Sequence, residues 1–134
     1  MPEFITGAAI PASHRDLLEQ PLYGHLATIR PDGGVQVNPM WFEFDGQAVR
    51  FTHTTKRQKY RNLTANPVCA MSVCDPGNPV RYLEVRGLLD EVVPDPAADF
   101  FRHLSIRYGS GDWTPDDAAD RVVLVMSLTR FSIQ

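Results

Sequence analysis

Three segments rich in β-branched and aromatic residues, "LYGHLATIR", "VQVNPMWFEF" and "QAVRFTH", follow one another with only "PDGG" and "DG" between them. Such runs favour a pleated backbone, and the glycine-bearing steps supply the positive φ that tight hairpins need. They predict three antiparallel strands in a meander. Two further runs, "VCAMSVC" and "VRYLEVRGLLDEVV", are joined by the turn "PGNP", and "RVVLVMSLTRFSI" follows near the end. Helical period is confined to short pieces: "PASHRDLLEQ", "TTKRQKYRNLTAN", "DPAADFFRHLSIRYG" and a turn at "TPDDAAD". In the first, Ser13 and Asp16 have the spacing of a capping box ahead of Leu17 and Leu18. In the third, Phe100, Leu104 and Tyr108 share one stripe. About six strands, neighbours in sequence, with three or four helices predict an α+β (mainly β) domain on an antiparallel sheet closed into a barrel.

At 134 residues, 1–134 reads as one domain with room for a real core. A formal net charge of −3 argues against a nucleic-acid binder that relies on general basicity. The opening "MPEFITGAAIPASHRD" shows no basic segment followed by an apolar one, and no apolar run approaches the ~20 residues that span a bilayer. The expectation is a cytoplasmic protein without a membrane partner. Cys69 and Cys74 fall in one extended segment, about 16 Å apart at strand rise. A disulfide needs Cα atoms within ~7 Å, so free, mostly buried thiols are expected.

Familiar catalytic signatures are absent. His14, His25, His53 and His103 show no metal-ligand spacing, and there is no CxxC, GxSxG, Walker A loop or GxGxxG. Glu84 and Glu91 stand seven apart on one predicted strand, hence on opposite faces unless a bulge intervenes. Pro39 interrupts the second strand. Proline cannot donate to a central ladder, so Asn38-Pro39-Met40 marks either a bulge, where a ligand can take over the hydrogen bonding, or an edge strand.

The charge pattern concentrates in "KRQKYR", where Lys56, Arg57, Lys59 and Arg61 stand within six residues and no acid is among them. In a helix starting near Thr55, the first three face the positive end of the macrodipole and repel one another. Free N–H groups at that end form an anion site, so a bound phosphate would relieve the strain. The other reading is a solvated cationic helix face.

The segment "WFEFDGQAVRFTHTTKRQKYRNLTANPVCAM", with the earlier "GHLATIRPDGGVQVNPMWF", closely resembles the pyridoxamine-phosphate-oxidase-like split β-barrel proteins. The similarity runs in order from about Gly24 to the terminal strand. It implies a six-stranded antiparallel split β-barrel with flanking helices. It also implies a homodimer whose flavin or deazaflavin lies in a groove between subunits. One branch of that family uses FMN and another coenzyme F420, a deazaflavin with a phospholactyl-oligoglutamate tail. Arg57-Gln58-Lys59 is similar to the R-x-K spacing of actinobacterial deazaflavin-dependent reductases, whereas FMN oxidases often carry adjacent Arg-Lys. The chain also ends in "TRFSIQ", without the Arg- and His-bearing segment through which true pyridoxamine phosphate oxidases hold substrate.

The resemblance therefore implies an F420-dependent reductase acting on a small unsaturated or electrophilic molecule by hydride transfer from the deazaflavin C5. Arg57 and Lys59 carry over as phosphate ligands, with Lys56 and Arg61 toward the acidic tail. Backbone at Val37, Asn38, Pro39, Met40 and Trp41, and at Thr52, His53 and Thr54, would border the ring. Trp41 has a competing reading as a core aromatic. Tyr82 and Arg86 would line the groove or the dimer contact. No general acid is assigned; Tyr108 and His53 are the candidates. "RYGSGDW" reads as a loop near the pocket mouth with Trp113 as a cover or a structural cap. An FMN-dependent oxidase or reductase, a non-catalytic flavin carrier and a haem-binding member of the superfamily are the alternatives.

Overall fold

A computed structural model of the chain describes residues 3–6 and 9–134. The expectation of no leader segment falls partly on residues 1, 2, 7 and 8, which lie outside the described residues. In chain order the elements are β1 (Glu3–Thr6), α1 (Asp16–Glu19), β2 (Gly24–Ile29), β3 (Val35–Met40), β4 (Glu43–Phe44), β5 (Ala48–Thr54) and α2 (Gln58–Ala65). Then come β6 (Val68–Asp75), β7 (Asn78–Pro94), α3 (Asp99–Arg107), a 3-10 turn (Ala118–Asp120) and β8 (Arg121–Ile133). Among the described residues no helix is long and apolar enough to cross a membrane.

Among the described residues, eight strands join one antiparallel sheet with the order β3-β2-β6-β7-β8-β5-β4, and β1 pairs with the end of β8. This differs in strand number from the six-stranded split barrel that the resemblance implies, and in closure from the barrel that the strand pattern predicts. There are two more strands: β1, and β4, which the sequence pattern merges with β3 into one run. The ladder is also open, with β3 and β4 at its two ends. Yet the chain passes from β3 to β4 through Trp41 and Phe42 alone. Three Cα steps span at most about 10 Å, so the two edges of the sheet must lie near each other. The sheet therefore curls on itself and is split along that seam.

The curl encloses the core. Strand alternation turns Leu26 of β2, Met71 and Val73 of β6, Leu83 and Val85 of β7, Phe51 of β5, and Leu124, Met126 and Phe131 of β8 inward, all buried. Leu17 and Leu18 of α1 and Phe42 of the seam fill the same interior. Each such side chain contributes roughly 1.5–3 kcal/mol of burial free energy. β7 is the longest strand, pairing along β6 from Leu88↔Val68 to Tyr82↔Cys74 and along β8 from Leu83↔Ile133 to Pro94↔Val122.

Local chemistry explains the boundaries. At the β2–β3 hairpin Gly33 takes φ +84°, the Asp32 carboxylate accepts from Gly34 N at 2.9 Å, and Arg30 N donates to Gly34 O at 2.8 Å. Pro39 sits in register opposite His25 with no bulge between β2 and β3, and β3 is an edge of the ladder. The edge-strand reading of Pro39 is the one the fold realises. On α3 the buried residues are Phe101, Leu104 and Ser105, with Phe100 half-buried, which shifts the expected stripe by one position. Upstream, the Asp95 carboxylate accepts from Asp99 N at 3.0 Å and Phe100 N at 3.1 Å, satisfying two of the first-turn donors. Both cysteines are free, but only Cys69 is buried, its thiol pushed up to about 12 by desolvation; Cys74 is exposed.

Gly87 marks the tightest approach of two strands. It lies at a register shift in the β7–β8 ladder, and a Cβ added there would fall 1.7 Å from the Ser127 carbonyl oxygen. That atom is backbone and cannot step aside. Gly87→Ala is expected to lower unfolding free energy by about 1–3 kcal/mol or more, read by urea denaturation. Gly77→Ala, whose nearest neighbour would be an exposed carboxylate oxygen at 3.4 Å, should change it by no more than about 0.5 kcal/mol.

Candidate functional site

The seam between β3 and β4 borders a concavity of about 350 Å³. Asn38, Pro39, Met40 and Trp41 form one side, Thr52 and His53 of β5 the floor, and Arg57 and Lys59 one end. Eight of the sequence-predicted site residues thus meet in one pocket. Val37, Thr54, Lys56, Arg61, Tyr82 and Arg86 are not among its lining. Val37, Lys56 and Arg61 are exposed, and Thr54 is buried behind the floor. Tyr82 exchanges backbone hydrogen bonds with Gln134, and Arg86 borders a different groove of about 400 Å³ on β2, β6, β7 and β8.

How β5 turns into α2 decides the placement of the cations. The helix begins at Gln58, with Arg57 in extended conformation just before it, so Lys56 and Arg57 precede the first turn instead of occupying it. The sequence placed the start near Thr55. The difference arises because Thr54 Oγ1 accepts from Lys56 N at 3.2 Å and Thr54 O from Arg57 N at 3.4 Å, closing a turn before the helix proper. Lys59 lies in the first turn and is buried, with Nζ donating to Asn38 Oδ1 at 2.9 Å. Burial, and then the charge of Arg57, hold its ammonium below the usual lysine pKa. Among the described residues no carboxylate lies within ion-pair distance of Arg57 or Lys59.

Three further lining residues escape the sequence reading: Tyr23, Phe101 and Arg121. Arg121 opens β8 in register with Thr54, forms a two-pronged pair with Asp117 at 2.9 and 3.2 Å, and lies 4.6 Å over the Phe101 ring. Tyr23 stands just before Gly24, the partner of Met40. Their only signal in sequence would have been strand register, which hydropathy does not encode.

Aromatic rings wall the remaining side. Trp41 stacks on Tyr108 at 5.4 Å and 16° and leans on Phe101 at 6.0 Å, and Phe101 meets Trp113 edge-on at 4.9 Å. Trp41 is therefore half-buried packing and pocket wall together. The Tyr108 hydroxyl accepts from Phe42 N at 3.0 Å and donates to Leu22 O at 2.7 Å, with Phe42 O at 3.1 Å. Desolvation raises its pKa, and its proton is committed to backbone, which makes it a fastener of the seam and not a proton donor to the pocket. The loop "RYGSGDW" is held down by Arg102 on Asp112 at 2.7 and 3.1 Å and by Ser105 Oγ on Gly111 O at 2.6 Å. Trp113 packs on Phe101 but does not line the pocket.

His53 Nε2 and Thr52 Oγ1 are buried without a hydrogen-bond partner. Desolvation first, then the charges of Lys59, Arg57 and Arg121, hold His53 down to about 3 against an opposing pull from Asp117. It is neutral at physiological pH. Two orphaned polar atoms, two unpaired cations and an aromatic wall fit a flat, hydrogen-bonding anion.

The comparisons with known proteins bear on this geometry. Residues 10–134 match the family model for pyridoxamine 5'-phosphate oxidase. The chain belongs to that family. A solved structure described as an F420 reductase is 60% identical, with a TM-score of 0.87, covering 91% of this chain and 98% of its own. A conserved hypothetical protein of Mycobacterium tuberculosis shares 24% identity at TM-score 0.73 (95% of this chain, 86% of that one). General Stress Protein 26 of Bacillus anthracis shares 19% at 0.68, covering 89% of both. The last two show the fold alone. No curated protein matches the chain.

The depressed His53 pKa has a consequence for acid stability. Below the ordinary histidine value of 6.5 the unfolded chain binds a proton that the folded one refuses until about 3. His53 therefore supports stability fully above pH 6.5, and that contribution is lost as pH falls through this window. In urea titrations, wild type should lose about 1–3 kcal/mol more than His53→Phe between pH 7 and pH 4. Identical losses would mean that His53 is protonated in the fold.

Proposed function

We propose that this chain is an F420-dependent oxidoreductase that reduces an unsaturated or electrophilic small molecule. One observation carries the reading: the paired cations Arg57 and Lys59, with no carboxylate partner among the described residues, at the end of an aromatic-walled pocket. The 60% identity to an F420 reductase supports the choice of cofactor. The Arg57-Gln58-Lys59 spacing supports it as well.

The deazaflavin, when bound, supplies hydride chemistry from its C5. The chain supplies binding, orientation and exclusion of water. Arg57 and Lys59 hold the phosphate through charge-assisted hydrogen bonds. Lys56 and Arg61, both exposed beyond the pocket, attract the carboxylates of the tail. Thr52 Oγ1 offers a donor and His53 Nε2 a donor or acceptor to polar atoms of the ring edge. Trp41, in the pocket wall, would pack against the bound cofactor. Arg121, already neutralised by Asp117, shapes the wall and adds little net charge.

The working unit is a homodimer. Exposed Val68 and Leu88 on the neighbouring strands β6 and β7 and Val35 on β3, beyond β2, border the second groove, with Val37 further along β3, apolar surface that a monomer leaves in water. Tyr82 and Arg86, remote from the pocket of their own subunit, belong with that contact in this reading. Leu88→Asp should shift the protein from dimer to monomer in light scattering at micromolar concentration. A monomeric wild type with full cofactor affinity would refute the arrangement.

Titration with F420 and FMN side by side tests the cofactor, with F420 expected to bind tighter and with the steeper salt dependence. Lys59→Ala should cost roughly 1.5–3 kcal/mol of F420 binding, about ten- to a hundredfold in Kd. Lys56→Ala, removing an exposed charge, should cost roughly 0–1 kcal/mol. Equal losses would mean that the cluster acts as a diffuse field. Tighter FMN binding would assign the chain to the flavin branch.

A further inference from the structure

We infer that Gln36 and Asn62 are positioning residues that aim the Lys59 ammonium at the cofactor phosphate, acting through Asn38; this rests on the reading of Lys59 as a phosphate ligand. Lys59 Nζ donates to Asn38 Oδ1 at 2.9 Å, and Gln36 Nε2 donates to that same oxygen at 3.0 Å. Gln36 Oε1 accepts from Asn62 Nδ2 at 3.1 Å. Asn62 Nδ2 also donates to Thr28 Oγ1 at 3.0 Å, and Asn62 Oδ1 accepts from Gln58 Nε2 at 2.8 Å. The chain of amides ties β2, β3 and α2 to one lysine.

Its direction follows from donor and acceptor chemistry. An ammonium has no lone pair, so Asn38 must present its oxygen to Lys59. For Gln36 to reach that oxygen it must offer its NH₂, which turns Oε1 toward Asn62. Asn62 must then present its own NH₂, a sense that the Thr28 hydroxyl satisfies by accepting and Gln58 Nε2 by donating to Asn62 Oδ1. Reversing any one amide would set donor against donor or acceptor against acceptor along the line. Asn62 is wholly buried, where an apolar side chain of similar size would carry no desolvation cost. Neither Gln36 nor Asn62 lines the pocket. The network therefore spends buried polar groups on a single exit point, the lysine at the pocket end. One N–H of Lys59 is taken by Asn38, and the other two are left to a ligand.

Two variants and two probes test this. Asn62→Leu removes the buried amide, and Gln36→Met, at a half-buried position, breaks the same line with less risk to folding; thermal melts report which variants are folded. The probes are F420 and the same deazaflavin without phosphate or tail, followed by equilibrium fluorescence. In each folded variant the Kd for F420 should rise about three- to tenfold, while that for the phosphate-free probe stays within about twofold. Equal weakening of both probes would overturn the inference, because it would reveal general packing damage. Unchanged F420 binding in Gln36→Met, with Lys59→Ala weakening it selectively, would overturn the inference and leave the Lys59 reading intact. Should Lys59→Ala leave F420 affinity untouched, both fall together.

Discussion

Everything in this fold hangs on the two-residue passage from β3 to β4. Trp41 and Phe42 carry the chain from one edge of an eight-stranded ladder to the other, so the sheet has to curl until those edges approach. No ladder joins β3 to β4 there, and the backbone of Phe42 finds its partner in the Tyr108 hydroxyl. One aromatic side chain at the end of α3 thus replaces part of the hydrogen bonding that a closed barrel would make strand to strand. The same ring stacks on Trp41. The interaction that fastens the seam also sets the pocket wall.

The pocket is an electrostatic compromise. Three cations and a histidine converge on a small volume, and the chain handles each differently. Arg121 is neutralised by Asp117, and His53 gives up its proton. Lys59 is buried against an amide oxygen, and Arg57 lines the pocket while staying exposed to water. What survives is a local excess of positive charge on a chain whose formal net charge is −3. Such an excess destabilises the empty fold slightly and favours an anion that fills it.

Much of this was legible in the residues. Alternation and turn chemistry located the principal strands, with β8 bounded as the sequence reads, Arg121–Ile133. The basic segment pointed to the cationic end of the pocket, and the residues that the resemblance singled out include Asn38, Trp41, Thr52, His53, Arg57 and Lys59, which line it together. What was not legible has a common cause. β4 is two residues long and defined only by its partner β5, so no period of its own could reveal it. The start of α2 was set by Thr54 folding back on Lys56 and Arg57, a local competition that composition cannot weigh. Tyr23, Phe101 and Arg121 enter the pocket through pairing and packing between segments far apart in sequence. The placement of Tyr82 and Arg86 away from the pocket follows from the position of β7 in the middle of the ladder, between β6 and β8, a strand order that alternation does not encode.

Distance along the chain carries a last consequence. The pocket lining runs from Tyr23 to Arg121, and Arg121 reaches it only once β8 has paired with β5. During synthesis no shorter stretch of the chain can assemble that lining, however well its early hairpins form. A ligand that needs the whole lining therefore binds the finished molecule and not a partial one. It acts as a lock on completed molecules, raising their resistance to unfolding by mass action while leaving nascent chains without help.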